Sequence, residues 1–376
     1  GASAQGMNPH YAKLVQVHVP LPQDSNVEGT YIAVRSNYRK GRNLAECYDG
    51  VPTKVVKMEE RNIYCGAYNV LVLQDIEDHH RCTNFSGGRF VVSGSYDRKV
   101  RLIDSATGKC EKAIQGHAGS IRCVLVSEER EIVLSGGYDT SVRCWDIIRG
   151  NCKCIFRGHR ATVTCISLHG NHMASGSRDK SVKVWNFASG KCRRTFRHRH
   201  VVLDVQVSDT VLVSGCEGGK VKVWDIESAA LLKSLDGHHG AITCLKFDDC
   251  HIITGSMDGY AMAWSAIGQH KKCLQAFRHP KEVLCLEFLY CRVITGSADG
   301  KLRIWNLLNG DCLRLIRGNS KNDSISAICA MDNRIVINTL CNLLIFNFEL
   351  VDWDYNLPPE RPEGLGTLSL YGKHAP

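Results

Sequence analysis

Long apolar runs are missing from the 376 residues: none approaches the roughly 18 needed to cross a bilayer. The opening, Gly1-Ala2-Ser3-Ala4-Gln5-Gly6-Met7, has neither the basic nor the apolar region of a secretory leader. No membrane partner is expected. The local signatures G-x-S-x-G, H-E-x-x-H, G-x-x-x-x-G-K-[ST] and G-x-G-x-x-G before a helix are absent too. The expectation is therefore a protein that is not an enzyme, with no catalytic residues and no cofactor. Cysteine pairs at zinc spacing are also lacking, because Cys152 and Cys154 are the only two of the 19 cysteines within five residues of each other. No metal site is expected. Nineteen cysteines are too few per residue for a small disulfide scaffold, and an odd number cannot all pair, so a reducing compartment, cytoplasm or nucleus, is expected. Proline is scarce in the middle of the chain, with only Pro280 inside residues 64–348.

What is present is an ordinary globular composition, 44% hydrophobic and 23% charged, which excludes a disordered chain. The net charge of +9 includes two basic clusters, Arg35, Arg39, Lys40 and Arg42, and Lys191, Arg193, Arg194, Arg197, His198, Arg199 and His200. Solvated loop charge accounts for both, and nucleic acid is not favoured as a partner.

Self-similarity organises the rest. Ser93-Gly94-Ser95-Tyr96-Asp97 returns as Ser135-Gly136-Gly137-Tyr138-Asp139, Ser175-Gly176-Ser177-Arg178-Asp179, Thr254-Gly255-Ser256-Met257-Asp258 and Thr295-Gly296-Ser297-Ala298-Asp299, with a weaker copy at Ser214-Gly215-Cys216-Glu217-Gly218. Each is followed by a large residue at Ile103, Trp145, Trp185, Trp224, Trp264 and Trp305, and Phe346 ends a last, degenerate copy. A period of about 40 residues, with short β-rich runs between Gly/Asp turns and no helical pattern, predicts an all-β chain of four-stranded propeller blades. Cys123, Cys165, Cys244 and Cys285 share an apolar-x-Cys setting, which reads as small buried hydrophobes at equivalent strand positions.

These residues resemble the WD-repeat family over about residues 48–348. Gly116-His117, Gly158-His159 and Gly237-His238 match its Gly-His pair, His198 and His279 follow an Arg instead, and a Trp comes 26 to 28 residues after each. The resemblance implies a structural hydrogen-bonded chain in each blade: His117, Ser135, Asp139 and Trp145; His159, Ser175, Asp179 and Trp185; His238, Thr254, Asp258 and Trp264; His279, Thr295, Asp299 and Trp305. The copy with His198, Ser214 and Trp224 has Gly218 in place of the Asp and is expected to be held less tightly.

Three segments are expected: an irregular part, 1–47, able to supply a closing strand; the propeller, 48–348; and a tail, 349–376. Eight blades are favoured over seven, because residues 54–58, 62–68 and 70–75 read as a degenerate first unit and 334–337 with 343–346 as a last one. The step from Leu73 to Ile103 is short for a full unit, and residues 43–47 or 31–35 are candidates to close the last blade.

The lettering is most similar to F-box/WD-repeat proteins, substrate receptors of cullin-type ubiquitin ligases. That resemblance implies a non-catalytic module that binds a polypeptide substrate, phosphorylated or not. It also implies an adaptor and cullin engaged through an F-box outside this chain; the alternative is a general scaffold for a multiprotein complex. Candidate partner-binding residues are Tyr96, Tyr138, Arg178 and Met257 just before the turn Asp, and Arg122 where an inner strand begins. Arg122 and Arg178 match positions where phosphate-reading members carry arginines, whereas Thr164, Asp204 and Glu217 argue against a tight phosphate pocket.

Overall fold

The computed structural model describes residues 12–17, 68–74, 81–289, 292–318, 323–331, 333–340 and 342–348. Among these residues every regular element is a strand, and the strands form seven antiparallel sheets. Six sheets are single sequence repeats whose strands pair in chain order, since the turns between them are too short for a crossover. Blade 2, for example, runs outward through Ile121–Ser127, Ile132–Gly137, Val142–Asp146 and Cys152–Phe156. Blades 1 and 3 to 6 repeat that order, beginning with inner strands Cys82–Phe85, Val163–His169, Val202–Val207, Ile242–Phe247 and Val283–Leu289.

The seventh sheet corrects the expected eight blades. Its inner three strands are Ile325–Met331, Arg334–Thr339 and Asn342–Phe348, which leave one edge unpaired. Tyr68–Gln74 fills that edge in antiparallel register, from Tyr68 opposite Phe348 to Gln74 opposite Asn342. Residues read as part of a first blade are thus the fourth strand of the last. The step from Leu73 to Ile103 is short because it spans a change of blade. A fifth strand, Ala12–Val17, pairs outside Tyr68–Gln74. Closure by an N-terminal strand follows the same logic as expected, but through a different segment; residues 31–35 and 43–47 lie outside the described residues.

The core is divided into layers between blades. Val92, Val100 and Leu102 of blade 1 pack with Val124, Val126 and Trp145 of blade 2, all buried. The glycine in the middle of each repeat serves this packing: a Cβ on Gly136 would stand 2.8 Å from Val163 Cγ1, and one on Gly176 would stand 2.7 Å from Val202 Cγ1, both on the next blade. Long cations tie the outer rims. Lys233 of blade 4, almost fully buried, donates from Nζ to the carbonyls of Ser265, Ala266 and Gly268 at 2.8, 3.0 and 3.1 Å. Lys112 does the same to Ile147 at 2.9 Å and Ile148 at 2.5 Å. Between blades 7 and 1 the ring closes through Asn338, which accepts from Arg81 Nε and donates to the Arg81 carbonyl, both at 3.0 Å.

Candidate protein-binding face

In every blade the inner strand begins at the end where the second strand turns into the third. The loops carrying the histidines and the turns carrying the Asp residues therefore share one face. The turn is built by its own sequence. Asp139 Oδ1 accepts from the Ser141 amide at 3.2 Å, and Thr140 between them takes a positive φ of 62°. Arg98 and Lys180 adopt the same conformation in blades 1 and 3, while Gly219, Gly259 and Gly300 supply it more easily in blades 4 to 6.

Beneath the turns lie the hydrogen-bonded chains. His117 Nδ1 is 2.7 Å from Asp139 Oδ2 and its Nε2 is 2.6 Å from Ser135 Oγ, which also accepts from Trp145 Nε1 at 2.7 Å. Blade 3 repeats this with His159 to Asp179 at 2.8 Å, His159 to Ser175 at 2.8 Å and Trp185 to Ser175 at 2.9 Å. Blade 5 repeats it with His238 to Asp258 at 2.9 Å, His238 to Thr254 at 2.8 Å and Trp264 to Thr254 at 2.9 Å. A neutral ring that donates from Nδ1 and accepts at Nε2 satisfies every member in each case. Burial raises the pKa of Asp139 and Asp179, yet the hydrogen bonds from His117, His159 and Ser181 outweigh it and hold both carboxyls well below the ordinary range.

Two blades depart. In blade 6, Thr295 still joins His279 at 2.7 Å to Trp305 at 2.9 Å, but Asp299 is not part of the chain, contrary to the sequence reading. Arg303 on the neighbouring strand takes Asp299 with two nitrogens, at 2.6 and 3.2 Å, and His279 Nδ1 faces the Phe277 carbonyl at 3.1 Å instead. A guanidinium fork is the stronger partner for a carboxylate. In blade 4, His198 reaches Ser214 at 2.9 Å and Trp224 donates to Ser214 at 3.0 Å, while His198 Nδ1 is buried with no partner among the described residues. Burial, with Lys222 nearby, pushes the pKa of His198 down to about 4. The Asp space is not empty: a Cβ on Gly218 would stand 2.5 Å from the His200 ring. His200 lies two residues after its histidine, where blades 2, 3 and 5 have Gly119, Ala161 and Gly240.

Of the candidate contact residues, Tyr96, Tyr138 and Met257 are 71%, 53% and 52% exposed on the turns of blades 1, 2 and 5. Arg178 is exposed on the turn of blade 3, and Arg122 at the start of the inner strand of blade 2. The five share one face, with Arg122 and Arg178 on adjacent blades. Asp204 is not the counterpart of Arg122 and Thr164. It pairs opposite Gly215 as Cys123 pairs opposite Gly136 and Cys165 opposite Gly176, so Leu203 holds that place. The six-residue step from His198 to Asp204, against five from His117 to Arg122, is the signal that could have shown it. Asp204 belongs to a layer that holds Cys82, Cys123, Cys165, Cys244 and Cys285 in blades 1, 2, 3, 5 and 6 and Ala327 in blade 7. Burial lifts its pKa to about 6, although it accepts from the amides of Leu245 and Val205 at 2.7 and 2.8 Å.

The basic cluster at 191–200 divides in space. Arg193 and Arg194 lie on the exposed outer strand of blade 3, where they meet the Glu227 carboxylate at 3.2 Å and the Glu227 carbonyl at 2.9 Å. The cluster at 35–42 lies outside the described residues. Among the described residues no three His, Cys, Asp or Glu side chains are placed to hold a metal ion, and no helix is long and apolar enough to cross a membrane.

Comparison with known proteins agrees with this geometry. The family profile of the WD domain, G-beta repeat, matches residues 76–104, 108–146, 150–186, 190–225, 229–265 and 271–306. The chain belongs to the WD40 repeat family. The seventh blade of this WD40 propeller is the one the profile leaves unmatched, in keeping with its lost Trp and its strand borrowed from residues 68–74. The chain is similar to F-box/WD repeat-containing protein 10 of Homo sapiens, 44% identical over 361 residues that cover 94% of this chain and 34% of that protein. It is also similar to human F-box and WD repeat domain containing protein 10B, 42% identical over 377 residues covering 98% and 49%. The mouse F-box/WD repeat-containing protein 10 is 42% identical over 363 residues. The chain thus spans about a third to a half of the length of these relatives.

Proposed function

We propose that this WD40 propeller is the non-catalytic substrate-recognition part of a cullin-type ubiquitin ligase receptor, whose F-box lies elsewhere in the full protein. One observation carries the reading. The polar side chains that resemble catalytic groups are used up inside the blades, whereas Tyr96, Arg122, Tyr138, Arg178 and Met257 stand exposed together on the face above them. Aromatic, Met and Arg side chains on a rigid ring suit capture of a polypeptide, and the likeness to F-box/WD repeat-containing proteins supports the ligase setting. The partner is a polypeptide with acidic character where it meets Arg122 and Arg178, phosphorylated or not. The cytoplasm or nucleus is its proposed location.

The test compares variants in the full-length protein. Arg122→Ala with Arg178→Ala should weaken capture of its substrate polypeptide by about 1–3 kcal/mol, while the adaptor still co-purifies and the melting temperature holds. Replacing Arg193, Arg194 and Arg197 with Ala should leave capture intact. If the second set abolishes capture and the first does not, this face is wrong and a polyanion site on blade 3 replaces it.

A further inference from the structure

The third strand of each blade carries one residue opposite the Ser or Thr of the hydrogen-bonded chain. These are Arg101, Arg143, Lys183, Lys222, Met262 and Arg303 in blades 1 to 6. Three are arginines, and two of these are spent within their own turn. Arg101 pairs with Asp97 and with Ser95 at 2.8 Å, and Arg303 with Asp299 at 2.6 Å and Ser297 at 3.0 Å. Arg143 is different. Its Asp139 is already saturated by His117, the Ala118 amide at 3.2 Å, and the amide and hydroxyl of Ser141 at 3.2 and 2.9 Å. The Arg143 Nε stands 3.7 Å from Asp139 Oδ2, close enough for an ion pair but outside hydrogen-bond reach, and is buried with no hydrogen-bond partner among the described residues, while Cys152 is a further polar neighbour of the guanidinium.

A pocket of about 270 Å³ opens beside it, lined by Asp139, Thr140, Ser141, Arg143, Arg157 and the loop from Gly158 to His159. Arg157 is exposed there and makes no ion pair among the described residues. A buried guanidinium nitrogen without an acceptor is costly, and a second guanidinium at the pocket wall offers the other half of an oxyanion clamp.

We propose that this pocket of blade 2 binds a carboxylate, as the side chain of an acidic segment in a bound polypeptide. Charge decides between oxyanions. Two arginines against the single Asp139 leave one net positive charge, which a carboxylate neutralises, whereas a phosphate dianion would leave an excess beside Asp139. Arg143 turns its guanidinium toward the pocket so that the Nε–H gains an acceptor, and Arg157 closes over the anion from the rim. The inference rests on the chemistry of the pocket alone, so it stands or falls separately from the ligase reading.

The test follows the arginine Nε–Hε signals by ¹⁵N NMR at pH 7.5. Sodium acetate is titrated against sodium chloride at constant ionic strength. The Arg143 signal should shift saturably with acetate, while those of Arg101 and Arg303 stay in place. Arg157→Gln, which borrows Gln115 from the equivalent place in blade 1, should weaken acetate binding by about tenfold. Arg143→Met, which borrows Met262 from blade 5, should remove the response altogether, with unchanged tryptophan indole signals reporting an intact fold. A shift reproduced by chloride, a parallel shift at Arg101, or an Arg157→Gln variant that binds as before would overturn the site. Sodium phosphate binding more tightly than acetate would overturn the choice of carboxylate.

Discussion

At the scale of single residues, blade 4 shows how one substitution forces another. With Gly218 in place of the Asp, His198 Nδ1 is orphaned, and the ring of His200 occupies the vacated volume. Gly218→Asp alone would meet His200, but Gly218→Asp with His200→Gly recreates the arrangement around Asp139 and Asp258. The double variant should gain about 1–2 kcal/mol in urea denaturation; no gain would mean that His198 is not limiting. The buried histidines also set a pH dependence. Burial lowers His198 and His279 to about 4 in the folded protein, Lys222 and Arg303 respectively adding to the effect, against an ordinary value of 6.5. As pH falls below about 6.5 the unfolded chain takes up protons that the folded one refuses until about 4, so stability is lost across that window, by at most about 1.4 kcal/mol per pH unit for each ring. Asp204 works in the opposite sense, because its folded pKa of about 6 lies above the ordinary 3.8 and it gains stability as pH falls between them. Asp204→Asn should therefore steepen the acid-side loss measured by denaturant midpoints at pH 7 and pH 5. An unchanged slope would refute the opposition.

Among the elements, Tyr68–Gln74 decides whether the ring is closed. Leu71, 5% exposed, packs with Phe85 and Val91 of blade 1 and with Val336 and Ile345 of blade 7, so this strand seals the junction between first and last blades. Leu71→Asp should cost about 3 kcal/mol or more, with hydrogen exchange rising first in Asn342–Phe348. Ile155→Asp on the outer strand of blade 2, which is 38% exposed, is the matched control and should change stability by only about 0.5 kcal/mol. Equal losses in the two variants would show that the closing strand has no special weight.

In the molecule as a whole, cysteine takes the part of a small hydrophobe. Cys165, Cys244 and Cys285 are buried on inner strands, and burial drives their thiol pKa values up, which suppresses the thiolate needed for exchange or metal binding. Non-reducing mass spectrometry with thiol labelling of the denatured protein should count close to 19 free thiols. A stoichiometric native disulfide would contradict the proposed cytoplasmic or nuclear setting.

The sequence by itself determined the repeating blade, because the Ser-Gly-Ser-x-Asp turn, the histidine and the tryptophan recur within one repeat of about 40 residues, and the family resemblance those motifs carry was enough to name the partners in blades 2, 3 and 5. Only the tertiary structure decided what depends on competition between neighbours or on contacts across the ring. Arg303 takes Asp299 from His279, a choice between two local partners that spacing cannot rank. Asp204 enters the cysteine layer because pairing with Gly215 fixes its register. Seven blades replace eight because the pairing of Tyr68–Gln74 with Asn342–Phe348 spans nearly the whole chain, and a strand that completes a distant sheet has the same alternation as one that begins its own.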